Sequence, residues 1–117
     1  MAKHFITGVA GFVASNLART LLKNGHQVVG IDNFSCGFRK NMEDFIEHPK
    51  FVFYEQDIRD ITPSEVSYDA VWHLAARGEL YYCRDHIGEA IDVNIKGTLK
   101  MLDFAKASNA QHFYFAD

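Results

Sequence analysis

The sequence predicts an α/β protein: a doubly wound parallel sheet of five strands, with helices on both faces. Five short apolar runs recur along the 117 residues, and each has the length of a buried strand. The stretches between them are long enough for the crossover connections that parallel strands require. Right-handed crossovers leave few strand orders, and 3-2-1-4-5 is the doubly wound one. We therefore expect that order.

The first two predicted strands enclose an amphipathic helix. Residues 3–7 are an apolar run that stops at a glycine, which indicates a buried strand. Residues 12–24 then carry apolar side chains at helical spacing, and an Asn-Gly pair ends the helix. Residues 26–31 are rich in β-branched side chains, and Asp32 and Asn33 close this second strand.

The remaining elements continue the alternation of strands and crossovers. Residues 57–68 are irregular, with one helical turn beginning at Pro63 and capped by Thr62. The other predicted elements are a weaker helix over 39–47, a third strand over 51–54, a fourth strand over 69–76, a long helix over 87–108 and a fifth strand over 112–116.

The long predicted helix has one apolar face and one polar face. The apolar face carries Ile91, Ile95, Leu99, Leu102 and Ala105, whereas lysine side chains lie elsewhere on the helix. This spacing is typical of an amphipathic helix. The fifth strand contains the run Phe-Tyr-Phe, which is most simply explained as strand core.

Composition excludes several classes of protein. The chain has 48% hydrophobic and 23% charged residues, as ordinary globular domains do. Its net charge of −3 argues against nucleic acid or an anionic membrane surface as the main partner. No apolar run approaches the roughly 20 residues of a membrane-spanning helix. Two cysteines, Cys36 and Cys83, make no disulfide framework, so we expect a reducing cytoplasm as the location.

A glycine-containing turn joins the first strand to the first helix. Gly8 permits a tight turn, and Gly11 lets the backbone approach a pyrophosphate group. Ala14 is small enough for the helix to pack closely on the strand. The unpaired N–H groups at residues 11–14 would then face phosphates. The alternative is a turn that merely tolerates glycines, but the strand before it and the helix after it favour a dinucleotide site.

Two acidic residues follow the second and third strands. Asp32 comes 21 residues after Gly11, where a dinucleotide fold places the carboxylate that accepts hydrogen bonds from the adenosine ribose. A carboxylate there repels a 2′-phosphate, and no arginine follows directly, so NAD is favoured over NADP. Asp57 and Ile58 would border the adenine. The simpler explanation for Asp32 is that it forms a turn at the end of a strand. For Asp57 and Ile58, the simpler explanation is a polar residue followed by a core residue.

Five segments of the chain occur in the order and spacing of the extended short-chain dehydrogenases: residues 7–17, 32–35, 57–60, 73–76 and 94–98. The sequence resembles the nucleotide-sugar epimerases and dehydratases of the UDP-glucose 4-epimerase type. The resemblance covers essentially the whole chain. It implies that residues 1–117 are a partial, NAD-binding Rossmann domain that stops after the fifth strand.

The resemblance also implies the residues that hold NAD. Those at the pyrophosphate turn, the adenosine ribose, the adenine and the nicotinamide-side ribose are, in chain order, Gly8, Gly11, Phe12, Val13, Asp32, Asn33, Ser35, Asp57, Ile58, Leu74, Ala75, Ala76 and Asn94. His73 stands inside a predicted buried strand, and the family uses it structurally.

The catalytic residues of the family are not found in this sequence. Such enzymes remove a proton from a sugar hydroxyl with a Tyr that a Lys four residues later acidifies. Tyr81 and Tyr82 have Asp85 and His86 at that position instead. The family's serine run would begin at Asp117. We therefore expect no catalytic residue. We also expect no metal site, because a Cys and a His three residues apart have no second pair to complete four zinc ligands.

The resemblance implies the NAD-binding portion of a nucleotide-sugar epimerase or dehydratase, in which a nucleotide-sugar binds only in a full-length context. The alternative is a stand-alone dinucleotide-binding or regulatory module that self-associates or pairs with a full-length relative. An apolar fifth strand at the sheet edge invites pairing with another chain. We therefore expect a homo-oligomer, formed through the fifth strand or the long helix.

Overall fold

Five parallel strands form a single sheet in the computed structural model, which describes residues 1–63, 66–75 and 84–115. The strand order is β3-β2-β1-β4-β5, and every neighbouring pair is parallel. The predicted fold class and strand order are therefore confirmed. The strands are β1 Lys3–Thr7, β2 Gln27–Asp32, β3 Phe51–Glu55, β4 Ala70–His73 and β5 His112–Phe115.

Helices cover the two faces of the sheet. One face carries α1, and the other carries a continuous helical stretch with a π-helical segment in its middle. The predicted long helix is therefore present, although the π segment interrupts its regular spacing. The elements are α1 Phe12–Lys23, α2 Ile87–Ile91, the π segment Asp92–Lys96 and α3 Gly97–Ala107.

The helix predicted over residues 39–47 is wrong. Only a 3₁₀ turn, Arg39–Met42, forms there, and hydrogen-bonded turns follow it. Met42 and Phe45 bury their side chains three positions apart, and the N–H of Phe45 donates to the carbonyl of Met42. The Met42 carbonyl also accepts from the N–H of Ile46 at 2.8 Å, so the segment mixes bonds of 3₁₀ and α type and forms no regular helix beyond Met42.

The helical turn predicted at Pro63 occurs earlier in the chain. A 3₁₀ turn covers Ile58–Asp60, and the Asp57 side chain caps it by accepting from the N–H of Arg59 at 2.8 Å. Thr62 and Pro63 are not helical, and residues 64–65 lie outside the described residues. A side-chain cap at Asp57 therefore decides where the turn begins.

Two hydrophobic cores lie on opposite faces of the sheet. Alternation along β1 sends Ile6 to the core beneath α1 and Phe5 to the core beneath α3. Phe5 meets Phe104 of α3 with ring centroids 4.5 Å apart. A parallel sheet needs cover on both faces, and these cores hold β1 at its centre.

The apolar face predicted for the long helix does not lie against the sheet. Ile91, Ile95, Leu99 and Leu102 are 44–58% exposed, and of the predicted five only Ala105 is buried. The side that packs on the sheet carries Val93, Gly97, Met101, Phe104 and Ala105. Gly97 makes room for the Ile58 side chain of the turn after β3, which a Cβ at position 97 would overlap. The helix approaches the sheet on its glycine-bearing side.

The edge strand β5 is less buried than its sequence predicts. Phe113 is partly buried and packs against the core beneath α3, whereas Tyr114 and Phe115 are 42% and 55% exposed, so only part of the aromatic run belongs to the core. Tyr114 instead stacks on Trp72 of β4 with a centroid distance of 4.0 Å. Among the strands that the structure describes, β5 lies at the end of the sheet and pairs with β4 alone. Among the described residues, no helix has the length and apolar character needed to cross a lipid bilayer.

Candidate functional site

A pocket opens at the carboxyl ends of the strands, beside the point where the strand order reverses. The chain leaves β1 toward one face and β4 toward the other, so the loops after these strands diverge and leave a crevice. Most of the predicted cofactor-binding residues lie in its wall: Gly8, Gly11, Asp32, Asn33, Ser35, Asp57, Ile58, Leu74 and Ala75.

The turn after β1 forms the floor of the pocket. Gly8 has a φ of +69°, and a Cβ there would lie 2.9 Å from the backbone N and Cα of Ala75. The N–H of Gly11 donates to the carbonyl of Gly8 at 2.9 Å and closes the turn. Glycine is required at position 8 for both reasons, since a side chain would be strained and would also collide with backbone.

The first turn of α1 presents unpaired donors beside this floor. Gly11 is the N-cap residue, no side chain caps it, and the first turn holds no acidic residue. The first N–H groups of any helix have no intrahelical acceptor. Phe12 and Val13 are 79% and 68% exposed, so this end of the helix faces solvent. Ala14, which is buried, lets α1 pack on the sheet. The arrangement suits a phosphate group.

The carboxylate of Asp32 connects the two loops that frame the pocket. One oxygen accepts from the N–H of Ala10 at 2.9 Å, and the other accepts from the N–H of Phe34 at 2.7 Å. The residue is 8% exposed. Asp32 therefore does serve as a turn-forming residue. A carboxylate offers about four acceptor positions, so each oxygen keeps capacity for a ligand hydroxyl.

Asn33, Ser35 and Asp57 form a hydrogen-bonded group on the rim. The amide oxygen of Asn33 accepts from the Ser35 hydroxyl at 2.6 Å, and its NH₂ donates to Asp57 at 3.1 Å. Asp57 also accepts from the backbone N–H, Nε and Nη2 of Arg59. These four bonds fill its acceptor positions. Asp57 can therefore accept an adenine amino group, its predicted role, only if one of these donors moves away.

Arg59 is a site-shaping residue that the sequence alone did not indicate. Its guanidinium lies 2.7 Å from Asp57 and 3.9 Å from Asp92 in the π segment. Hydrogen bonds from Arg59 lower the pKa of Asp57 below its usual range, although burial acts in the opposite direction. Arg59 thus joins the turn after β3 to the long helix. Its position two residues after a capping Asp was the available signal.

His73 lies behind the pocket and not in its wall. The ring is 2% exposed and lies between the hydroxyls of Thr7 and Thr98. Burial lowers its pKa to about 4, which keeps the ring neutral at pH 7. This location agrees with the structural role that the resemblance implies.

Not every predicted residue reaches the pocket. Asn94 lies in the π segment, but its neighbour Val93 lines the wall instead. Phe12 and Val13 stand at the start of α1 with their side chains turned to solvent. Ala76 lies outside the described residues.

Other wall residues were not predicted as site residues. They are Ile31, Cys36, Gly37, Gln56 and Val93. Gly37 has the clearest physical role, because a Cβ there would lie 2.7 Å from the carbonyl carbon of Ala10. The loop after β2 therefore closes directly on the glycine turn. Within the described ranges, no group of three or more His, Cys, Asp or Glu side chains could hold a metal ion.

Comparison with protein families gives a match over nearly the whole chain. The family described as NAD dependent epimerase/dehydratase matches residues 4–117. Among curated proteins, UDP-glucuronic acid decarboxylase 1 of Danio rerio is 35% identical over 106 residues, which are 91% of this chain and 25% of the relative. UDP-glucuronic acid decarboxylase 6 of Arabidopsis thaliana is 33% identical over 91% of this chain and 31% of its own length.

Solved structures share the fold. The Bordetella bronchiseptica enzyme WbmH in complex with NAD+ has a TM-score of 0.84 and 34% identity, over 97% of this chain and 38% of that one. UDP-glucose-4-epimerase of Stenotrophomonas maltophila, with bound NAD and formylated UDP-arabinopyranose, has a TM-score of 0.85 and 27% identity, over 98% and 36%. The chain thus spans about a third of these structures. The matched proteins include decarboxylases and epimerases, so the similarity does not separate these reactions.

Proposed function

Because the chain belongs to the NAD dependent epimerase/dehydratase family, we propose that it binds NAD in the pocket at the carboxyl ends of β1, β2 and β4. In this proposal it is the cofactor-binding part of an enzyme that modifies a nucleotide-sugar. The observation that carries the proposal is the uncapped start of α1 beside the carboxylate of Asp32. The first suits a pyrophosphate and the second suits a ribose.

The residues of the pocket fit the parts of NAD. The N–H groups of Phe12 and Val13 would hold the pyrophosphate, with Gly8 and Gly11 leaving room for it. The remaining acceptor positions of Asp32 would bind the adenosine ribose hydroxyls. Of the other residues carried over, Asn33, Ser35, Asp57 and Ile58 would surround the adenosine part, and Leu74, Ala75, Ala76 and Asn94 the nicotinamide-side ribose.

Calorimetric titration tests this proposal directly. The chain is expected to bind NAD and ADP-ribose, because both carry the pyrophosphate and the adenosine ribose that the described pocket suits. Adenosine alone is expected to bind more weakly, since it lacks the phosphates that α1 would hold. The control variant is Thr20→Val, which changes an exposed residue of α1 outside the pocket and is expected to leave NAD binding unchanged. No heat of binding with NAD or ADP-ribose would contradict the proposal.

We expect no turnover by this chain alone. NAD, when bound, supplies hydride transfer, but removal of a proton from the sugar needs a positioned base. The sequence holds no Tyr followed four residues later by Lys. The measurement is conversion of UDP- and TDP-sugars by the pure chain, with a mock preparation from the same host as the control. Conversion above that control would overturn this expectation.

We also propose that the chain self-associates through the long helix. Ile87, Ile91, Ile95, Leu99 and Leu102 form an exposed stripe along it, each 44–62% exposed. Apolar surface contributes about 25 cal/mol per Å² when it leaves water, so a few hundred Å² amounts to several kcal/mol. That is comparable with the stability of a small domain. A second copy of the chain, presenting the same stripe, is the proposed partner.

Light scattering at micromolar concentration measures the assembly. The unaltered chain is expected to form a dimer or larger species. Leu99→Glu is expected to produce monomer, because it places a charge within the stripe, whereas Lys100→Glu on another side of the helix is expected to keep the assembly. Phe115→Lys tests the edge strand β5 as the alternative surface. A folded monomer from the unaltered chain would contradict the proposal.

The second candidate function is a stand-alone regulatory module that pairs with a full-length relative. The same exposed stripe is the observation that favours it. Mixing the chain with a full-length family member and measuring both co-elution and turnover separates the two candidates. Mixed species with altered turnover favour the module.

For either candidate, the proposed location is the cytoplasm, on the basis of the low cysteine content alone.

A further inference from the structure

A chain of hydrogen bonds runs behind the pocket from β1 through β4 to the long helix. The Thr7 hydroxyl lies 2.8 Å from Nδ1 of His73, and Nε2 of His73 lies 3.0 Å from the Thr98 hydroxyl. The Thr98 hydroxyl donates to the backbone carbonyl of Asn94 at 2.8 Å. Thr7 and His73 are 0% and 2% exposed, so both are withdrawn from bulk water.

The donors and acceptors in this series of hydrogen bonds define where each proton lies. Thr98 uses its single O–H proton on the carbonyl of Asn94, so its oxygen must accept from Nε2–H of His73. Nδ1 of His73 is then unprotonated in the neutral ring, and it accepts from the O–H of Thr7. Only the neutral tautomer with its proton on Nε2 satisfies all of these contacts.

At its Thr7 end, this series of hydrogen bonds contacts the pocket wall. The Thr7 hydroxyl oxygen accepts from the N–H groups of Leu74 and Ala75, each at 3.0 Å. Both of these residues line the pocket, and the backbone of Ala75 lies against Gly8. A hydroxyl has two acceptor positions and one donor. The donor and both acceptor positions of the Thr7 hydroxyl are therefore used when Nδ1 of His73 accepts a hydrogen bond from its O–H.

We propose that Thr98 is a positioning residue for the pocket: it selects the Nε2–H tautomer of His73 and thereby directs the Thr7 hydroxyl toward Leu74 and Ala75. The reverse tautomer would make Nδ1–H donate to Thr7, whose oxygen already accepts two hydrogen bonds. One of the two amides would then lose its acceptor, and the wall would separate from the glycine turn. The effect on a cofactor rests on the proposed function, whereas the tautomer does not.

Nitrogen-15 NMR of histidine-labelled protein tests the tautomer. The unaltered chain is expected to show one neutral His73 form, with the proton on Nε2. Thr98→Val removes the acceptor, so the single tautomer is expected to be lost, and the amides of Leu74 and Ala75 are expected to exchange at least about tenfold faster. Thr98→Ser keeps the hydroxyl and is expected to restore both readouts.

Calorimetry then measures the consequence for NAD. Thr98→Val is expected to weaken binding by about three- to tenfold, and Thr98→Ser by less than about twofold. Thr20→Val is the matched control, because it makes the same chemical change at an exposed site of α1. If NAD fails to bind every variant including the unaltered chain, the proposed function fails, while the NMR measurement still decides the tautomer.

Two results would overturn the inference. One is an Nδ1–H form, or a mixture of tautomers, for His73 in the unaltered chain. This result is informative even if Thr98→Val fails to fold, because it needs no variant. The other is a folded Thr98→Val chain that keeps the single Nε2–H form and the slow amide exchange.

Discussion

The Gly8→Ala variant is expected to lose NAD binding and much of its stability. At a φ of +69°, an alanine is strained by about 1–2 kcal/mol. Its Cβ would also lie 2.9 Å from the backbone N and Cα of Ala75, and overpacking of this kind costs about 1–3 kcal/mol. Together these amount to about 2–5 kcal/mol. The free energy of unfolding of a small domain is about 5–15 kcal/mol in total.

Substitutions at two other glycines distinguish the effect of backbone strain from the effect of the collision with Ala75. Gly25 also has a positive φ, +86°, but a Cβ there would meet nothing within 4 Å. Gly25→Ala is therefore expected to show the backbone strain alone, about 1–2 kcal/mol. Gly88 lies in α2 with open space around it, so Gly88→Ala is expected to be neutral or stabilising by up to about 1 kcal/mol.

Urea unfolding and NAD calorimetry measure these effects. From most to least stable, the expected order is Gly88→Ala, the unaltered chain, Gly25→Ala and then Gly8→Ala. Only Gly8→Ala is expected to lose NAD binding, because the displaced backbone of Ala75 lines the pocket. If Gly8→Ala matched Gly25→Ala in stability and still bound NAD, the close contact between Gly8 and the backbone of Ala75, after β4, would be contradicted.

Replacing Asp32 is expected to weaken NAD binding and to reduce the preference for NAD over NADP. Two backbone N–H groups, those of Ala10 and Phe34, lose their acceptor in Asp32→Ala. A hydrogen bond to a charged group contributes about 1.5–3 kcal/mol, so loss of the ribose contact reduces NAD affinity by about 10–100-fold. The preference falls because no carboxylate then repels the 2′-phosphate of NADP.

The ratio of the two affinities distinguishes binding from folding. A loosened loop would weaken NAD and NADP alike and leave their ratio unchanged, whereas removal of the charge lowers the ratio. Glu55→Gln is the matched control, since it removes an exposed negative charge at the end of β3 outside the pocket wall. Calorimetry in which the unaltered chain binds NADP more tightly than NAD would contradict the assignment of Asp32.

The residues whose location in the pocket wall could be predicted from sequence are those set by local features of the chain. Gly8 directly follows β1 and Asp32 ends β2, and the positions of strand ends follow from the change in hydrophobic period. Arg59 and Gly37 could not be assigned in this way. Arg59 depends on the packing of the turn after β3 against the long helix, and Gly37 on the closure of one loop upon another.

The sequence by itself determined the five strands, their parallel order and the glycine turn before α1, because hydrophobic period and crossover length are properties of neighbouring residues. Tertiary structure alone decided which side of the long helix meets the sheet. Both sides carry apolar residues, and the side with Gly97 packs because only it can approach Ile58 closely. The tertiary structure also brought Thr7, His73 and Thr98 together. Hydrogen bonds across 66 and 25 residues of chain form only when strands and helix have packed.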